Sequence, residues 1–167
     1  FRHEIGHYYW NILIRDGGRL EQCRAVFGDE RLDYQAALNN HYARMPPDNW
    51  RESYVSHYAM SHPWEDFAET WAHYFHIVST LETALSYDMT IGSLPNAQVV
   101  PVSDHDPYLH MPFDAIIREW LPLTYAVNSL NRSMGLADFY PFVLTAGVRV
   151  KLRFIHDVVR DVQKTGQ

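Results

Sequence analysis

PWEDFAETWAHYFHIVSTLETALSY, residues 63–87, is the stretch that decides the fold. Trp64, Phe67, Ala68, Trp71, Phe75, Val78 and Leu85 recur at three- and four-residue spacing, the period of one buried helical face. Pro63 suits the first helical position, where its missing N–H costs nothing, and Ser61-His62 form the turn before it. The pattern predicts a helix from Pro63 to about Tyr87.

The same reading extends outward in both directions. Phe1 to Arg15 reads as a helix stopped by Asp16-Gly17-Gly18, since glycine accepts the left-handed cap conformation. A short helix is expected over Leu20 to Phe27. Asp29 is the expected N-cap of a helix from Glu30 to Met45, which Pro46-Pro47 stops. A further helix is expected from Asn49 to Tyr58. Beyond the central helix, Asp88 to Leu109 reads as a long loop with three prolines. Helices are expected near Pro112 to Met134, kinked or split at Pro122, and near Pro141 to Val162. No alternating strand pattern and no repeat is present. The expectation is an all-α fold: a single helical domain over residues 1–167.

Composition narrows the function classes. The 167 residues carry a net charge of -6, with 47% hydrophobic and 20% charged residues, which excludes disorder. A single cysteine, Cys23, forbids an intrachain disulfide and makes a reducing, cytoplasmic setting the default. No apolar run reaches the ~18 residues of a membrane span, so no membrane span is expected. The acidic balance argues against a nucleic-acid partner. The chain opens on Phe1 without an initiator Met, so it is read as a piece of a longer protein, truncated at its N-terminus. Any targeting segment would lie upstream.

His3-Glu4-Ile5-Gly6-His7 is a HExxH motif. On a helix, positions i and i+4 share a face, so both imidazoles can take corners of a tetrahedral zinc. Glu4 lies beside them, placed to accept a proton from water. The extended motif with a third histidine is excluded, because Trp10 and Leu13 stand where it needs Gly and His. A carboxylate on a second helix is the other common solution, and Glu65, Asp66 and Glu69 open the Pro63 helix. Glu65 is assigned as ligand and Glu69 as its support, holding the far N–H of a ligand histidine; the reverse assignment stays open.

HEIGHYYW (3–10), FGDERLDYQAALNNHYARMPPDNW (27–50) and YAMSHPWEDFAETWAHYFH (58–76) together resemble the putative zinc-binding metallopeptidase family of bacteria. The match is close from Phe1 to about Ile91 and follows the general pattern beyond it. More widely the arrangement is similar to Glu-zincins. The resemblance implies a zincin-like helical part with a HExxH helix and a second ligand-bearing helix. It also implies Zn2+ as cofactor, His3, His7 and Glu65 as ligands, and Glu4 as general base. Tyr58, seven residues before Glu65, matches a tyrosine that stabilises the oxyanion in some relatives. A peptide or protein substrate is expected. The alternative is a non-catalytic binding module that keeps structural zinc, with His57 or His62 as a fourth ligand. Longer relatives carry sequence before the HExxH helix, so a preceding region or a partner is expected to complete the substrate cleft.

The remaining candidates receive ordinary readings. Glu65 and His76 are eleven residues apart, roughly 16 Å along a helix, and cannot share an ion. His76 is expected in the core and His62 in the turn before Pro63. Asp104-His105-Asp106 with His110 is read as turn residues rather than a second metal cluster. Cys23 is read as a small buried residue. Arg149, Lys151, Arg153 and Arg160 are read as a solvated face.

Overall fold

In the computed structural model, residues 1–89 and 106–165 are described. Six α-helices carry the fold: α1 (Arg2–Tyr9), α2 (Leu20–Phe27), α3 (Tyr34–Ala43), α4 (Pro63–Ser86), α5 (Phe113–Ser133) and α6 (Ala146–Thr165). No strand occurs among the described residues, and the fold is all-α. None of these helices is long and apolar enough to cross a membrane. The chain divides into two compact units, Phe1–Phe75 with Phe142–Gln167, and His76–Pro141.

The first unit is built around the N-terminal half of α4. Phe67, Ala68, Trp71 and Ala72 are buried there, beside Ile14, Phe27, Val148, Leu152 and Ile155. Phe27 meets Phe67 and Phe154 edge-on at 5.5 and 5.7 Å. His62 begins α4: its Nδ1 accepts the Trp64 N–H at 3.1 Å and its Nε2–H donates to the Leu32 carbonyl at 3.0 Å. That occupies both ring nitrogens and satisfies an N–H that the helix start would otherwise orphan.

Several boundaries differ from the sequence expectation, each for a local reason. The expected first helix changes form after Tyr9, continuing as a π-helical segment over Trp10–Arg15. Asp29 folds back on Arg31 rather than capping a helix, accepting its backbone N–H at 3.0 Å and pairing with its guanidinium. Asp33 is the cap, accepting from Ala36 N at 2.8 Å, so α3 begins at Tyr34. The helix expected over Asn49–Tyr58 is replaced by two short 3-10 turns, Trp50–Glu52 and Tyr58–Ser61. Ser56 Oγ accepts the Ala59 N–H at 3.1 Å, the kind of local side-chain bond that competes with a continuous helix. Thr145 caps α6, which begins at Ala146, five residues later than Pro141.

In the second unit, Ile77, Val78, Leu81, Ile116, Ile117, Trp120 and Leu123 are buried. Asn128 exchanges hydrogen bonds with the backbone of Tyr140, both at 3.0 Å, and Tyr140 lies edge-on to Trp120 at 4.6 Å. Helix α5 runs through Pro122 unbroken, so the expected split does not occur. His76 is exposed rather than in the core. Asp106 accepts the backbone N–H of Tyr108 at 2.7 Å, as a turn residue does. Asp104 and His105 lie outside the described residues.

Candidate metal centre

The close approach of α1 to α4 creates the site. Gly6 is buried at the crossing, and a Cβ there would stand 3.0 Å from Ala68 Cα and 3.2 Å from Trp71 Cβ. Glycine therefore sets how near the two helices lie. Trp64 packs on the His7 ring at 4.1 Å, and Tyr9 stacks on Trp71 at 5.1 Å, fixing α1 on both sides.

This crossing brings His3, His7 and Glu65 together. One ligand-type atom from each falls within 4.8 Å of the others. His3 Nε2 and His7 Nε2 are 3.1 Å apart. Glu65 Oε2 lies 3.0 Å from the first and 3.4 Å from the second. Yet this oxygen is buried without an aligned hydrogen bond. A buried carboxylate oxygen ordinarily finds a donor. Two imidazole nitrogens and one carboxylate oxygen instead converge on one point, which is the donor set zinc takes.

The outer contacts hold these groups in register. Glu65 Oε1 accepts the Tyr34 hydroxyl at 2.8 Å. His3 Nδ1 lies 2.7 Å from Glu69 Oε1, and Ser56 Oγ donates to Glu69 Oε2 at 2.5 Å. Burial acts to raise the Glu65 carboxyl, but the neighbouring His7 imidazole, the Tyr34 hydroxyl and the His3 imidazole outweigh it and hold it at about 2. Tyr58 lies beside His3, ring centres 5.8 Å apart, and interacts with Tyr34 and Glu65. Burial and then the Glu65 charge push its phenol up, so it stays a protonated donor at neutral pH. Glu4 follows His3 on α1 with its carboxylate exposed.

His57 and His62 stand apart from the cluster. His62 is spent on the α4 start, and His57 packs against His41 at 4.3 Å. An apolar cavity of about 360 Å³ is lined by Ile5, Tyr9, Trp71 and Phe75 among others. At 100° per residue, Ile5 and Tyr9 lie on the opposite side of α1 from His3 and His7, so this cavity is separate from the cluster.

Sequence reasoning missed Tyr34, Ser56 and Lys151. Tyr34 and Ser56 belong to segments whose local pattern says nothing about a site. Lys151 is corrected from a solvated face to the interior, 8% exposed. Its Nζ lies 2.6 Å from both Asp66 Oδ2 and the Ser53 carbonyl. Asp66 is fully buried, and that burial raises its carboxyl to about 7 against the opposing pull of Lys151. Cys23 is buried, which pushes its thiol up to about 12 and leaves it no nucleophile.

In this all-α chain two histidines and a glutamate form a group that could hold a metal ion. The chain belongs to the family described as "Putative zinc-binding metallo-peptidase", whose model matches residues 1–158. It is also similar to uncharacterized proteins of Mycobacterium tuberculosis and Mycobacterium bovis. Each is 45% identical over 163 residues, covering 97% of this chain and 46% of the relative. The chain thus spans about half the length of the curated relatives it matches. No solved structure matches it.

Proposed function

We propose that this chain is the metal-holding domain, residues 1–167, of a zinc-dependent peptidase. His3, His7 and Glu65 are the ligands, Glu69 orients His3, Glu4 is the general base and Tyr58 is the oxyanion donor. The observation that carries the reading is Glu65 Oε2, buried without an aligned hydrogen bond and 3.0 and 3.4 Å from two imidazole nitrogens.

Zinc held there supplies Lewis acidity toward water and a scissile carbonyl. Glu4, exposed and next in sequence to His3, accepts the proton of the attacking water and later delivers it to the leaving amine. Tyr58 donates its hydroxyl to the oxygen on which negative charge develops. Glu69, steadied by Ser56, accepts the His3 Nδ1–H and keeps Nε2 free as a ligand atom.

A structural zinc site is closed by four protein ligands, whereas a catalytic one keeps a position open. Among the described residues His3, His7 and Glu65 are the groups that converge, and both ring nitrogens of His62 are engaged elsewhere. This supports hydrolysis over a purely structural role. The test is Glu4→Gln in zinc-loaded protein, with metal content and peptide cleavage measured together. One equivalent of zinc should remain while cleavage falls by about 100-fold or more. Cleavage at the wild-type rate would remove Glu4 from the mechanism.

A further inference from the structure

We propose that the cavity between the end of α3 and the 3-10 turn at Tyr58–Ser61 is a substrate subsite that takes a carboxylate-bearing residue. This rests on the peptidase reading of the adjacent centre.

The cavity, about 290 Å³, is lined by Asn40, His41, Arg44, Met45, Met60 and Ser61 among others. One ring separates it from the metal centre: His41 is 6.4 Å from Tyr58, and Tyr58 is 5.8 Å from His3. A residue seated here lies on the far side of Tyr58 from His3, within reach of a peptide that also meets the centre.

Two buried polar side chains in its wall lack partners. His41 and Ser61 are 8% and 6% exposed, and neither His41 Nδ1 nor Ser61 Oγ makes a hydrogen bond. Both residues line the cavity, and each holds a buried polar atom that no protein group satisfies, where such atoms ordinarily find a partner. Arg44 adds the charge. As the C-cap of α3 it has an ordinary role in offsetting the helix dipole. However, Arg44 is among the residues that line this cavity and forms no ion pair among the described residues. With Asn40, also a lining residue, it offers donors of the kind that grip a carboxylate. Met45 and Met60 supply an apolar wall for an aliphatic stem, and burial with the neighbouring His57 lowers the His41 pKa, keeping that wall uncharged. The carboxylate can belong to an acidic side chain or to a peptide C-terminus.

The test titrates the protein with three small probes, following the backbone amide signals of residues 40–45 and 58–61 by NMR. N-acetylglutamic acid α-amide carries only a side-chain carboxylate, N-acetylglutamine only a terminal one, and N-acetylglutaminamide neither. Metal-free protein is titrated first, because zinc itself attracts carboxylates. Zinc-loaded Glu4→Gln protein follows. At least one carboxylate probe should bind about tenfold more tightly than the neutral probe, and which one identifies the source. Arg44→Gln should lose that preference and Arg44→Lys should keep part of it. Equal affinity for all three probes, no binding at all, or an Arg44→Gln protein that keeps the preference would each overturn the proposal. Selective binding in a protein that cleaves no peptide would instead defeat the peptidase reading and leave the carboxylate site standing. Cleavage without selective binding would do the reverse.

Discussion

His3 Nδ1 lies 2.7 Å from Glu69 Oε1, so the ring edge facing away from His7 is held by a carboxylate one turn beyond Glu65. The opposite ring nitrogen faces Glu65 Oε2 at 3.0 Å. The two glutamates thus address different nitrogens of one imidazole. Glu65→Ala is expected to abolish stoichiometric zinc binding. Glu69→Gln should keep one equivalent but bind it about 10–100-fold more weakly, as loss of a supporting carboxylate does. Competition with a chelator measures both. The opposite pattern would exchange the two roles.

The helix crossing yields a second prediction. A methyl at Gly6 would stand 3.0 Å from Ala68 Cα and 3.2 Å from its carbonyl oxygen, and backbone cannot rotate aside. Gly6→Ala should destabilise the metal-free protein by about 1–3 kcal/mol, the usual cost of overpacking. It should also weaken zinc binding, because α1 carries both histidines. Denaturant melts and a zinc titration on the same sample separate the effects. Unchanged zinc affinity would show that the crossing distance does not govern the site.

The buried pair between Lys151 and Asp66 supports a third. Lys151→Met leaves Asp66, 0% exposed, without its cation. The expected loss is about 3–5 kcal/mol, the cost of uncovering one half of a buried ion pair. Adding Asp66→Leu should recover much of it, since two apolar groups leave no stranded charge. Urea midpoints of the two variants decide. A double variant no more stable than the single one would mean the pair does more than balance charge.

A fourth prediction concerns pH. His156 is buried, with Nδ1 3.1 Å from the Tyr74 hydroxyl, and burial, aided by Arg160 and Arg153, lowers its pKa to about 4. Its unfolded value is 6.5. The folded chain therefore binds fewer protons between these values, and stability is lost as pH falls from 6.5 toward 4. Above 6.5 the contribution is fully present. His156→Gln should flatten the fall in urea midpoint across this window relative to wild type, both measured without metal. Parallel profiles would assign the fall to other groups.

Much of the architecture is legible in the chain because helical periodicity is a local signal. Trp64 to Val78 repeats every three or four residues, and Pro63 marks the start to the residue. Capping was less legible. Asp29 and Asp33 are equivalent as letters, and only the Arg31 pairing and the Ala36 N–H distinguish them. Lys151 was misread because a lysine on an amphipathic helix is normally solvated, and the buried Asp66 that holds it is 85 residues away.

The sequence by itself determined that two imidazoles share a helical face, because i and i+4 spacing on one helix needs no tertiary contact. It also determined that carboxylates open a second helix. Which carboxylate meets which imidazole nitrogen depends on how closely α1 crosses α4, a distance set at Gly6 and Ala68. The partners of those carboxylates, Tyr34 and Ser56, come from segments that only packing brings near. The residues that converge were thus visible one helix at a time, whereas the geometry between helices, on which any metal chemistry depends, belongs to the tertiary structure alone.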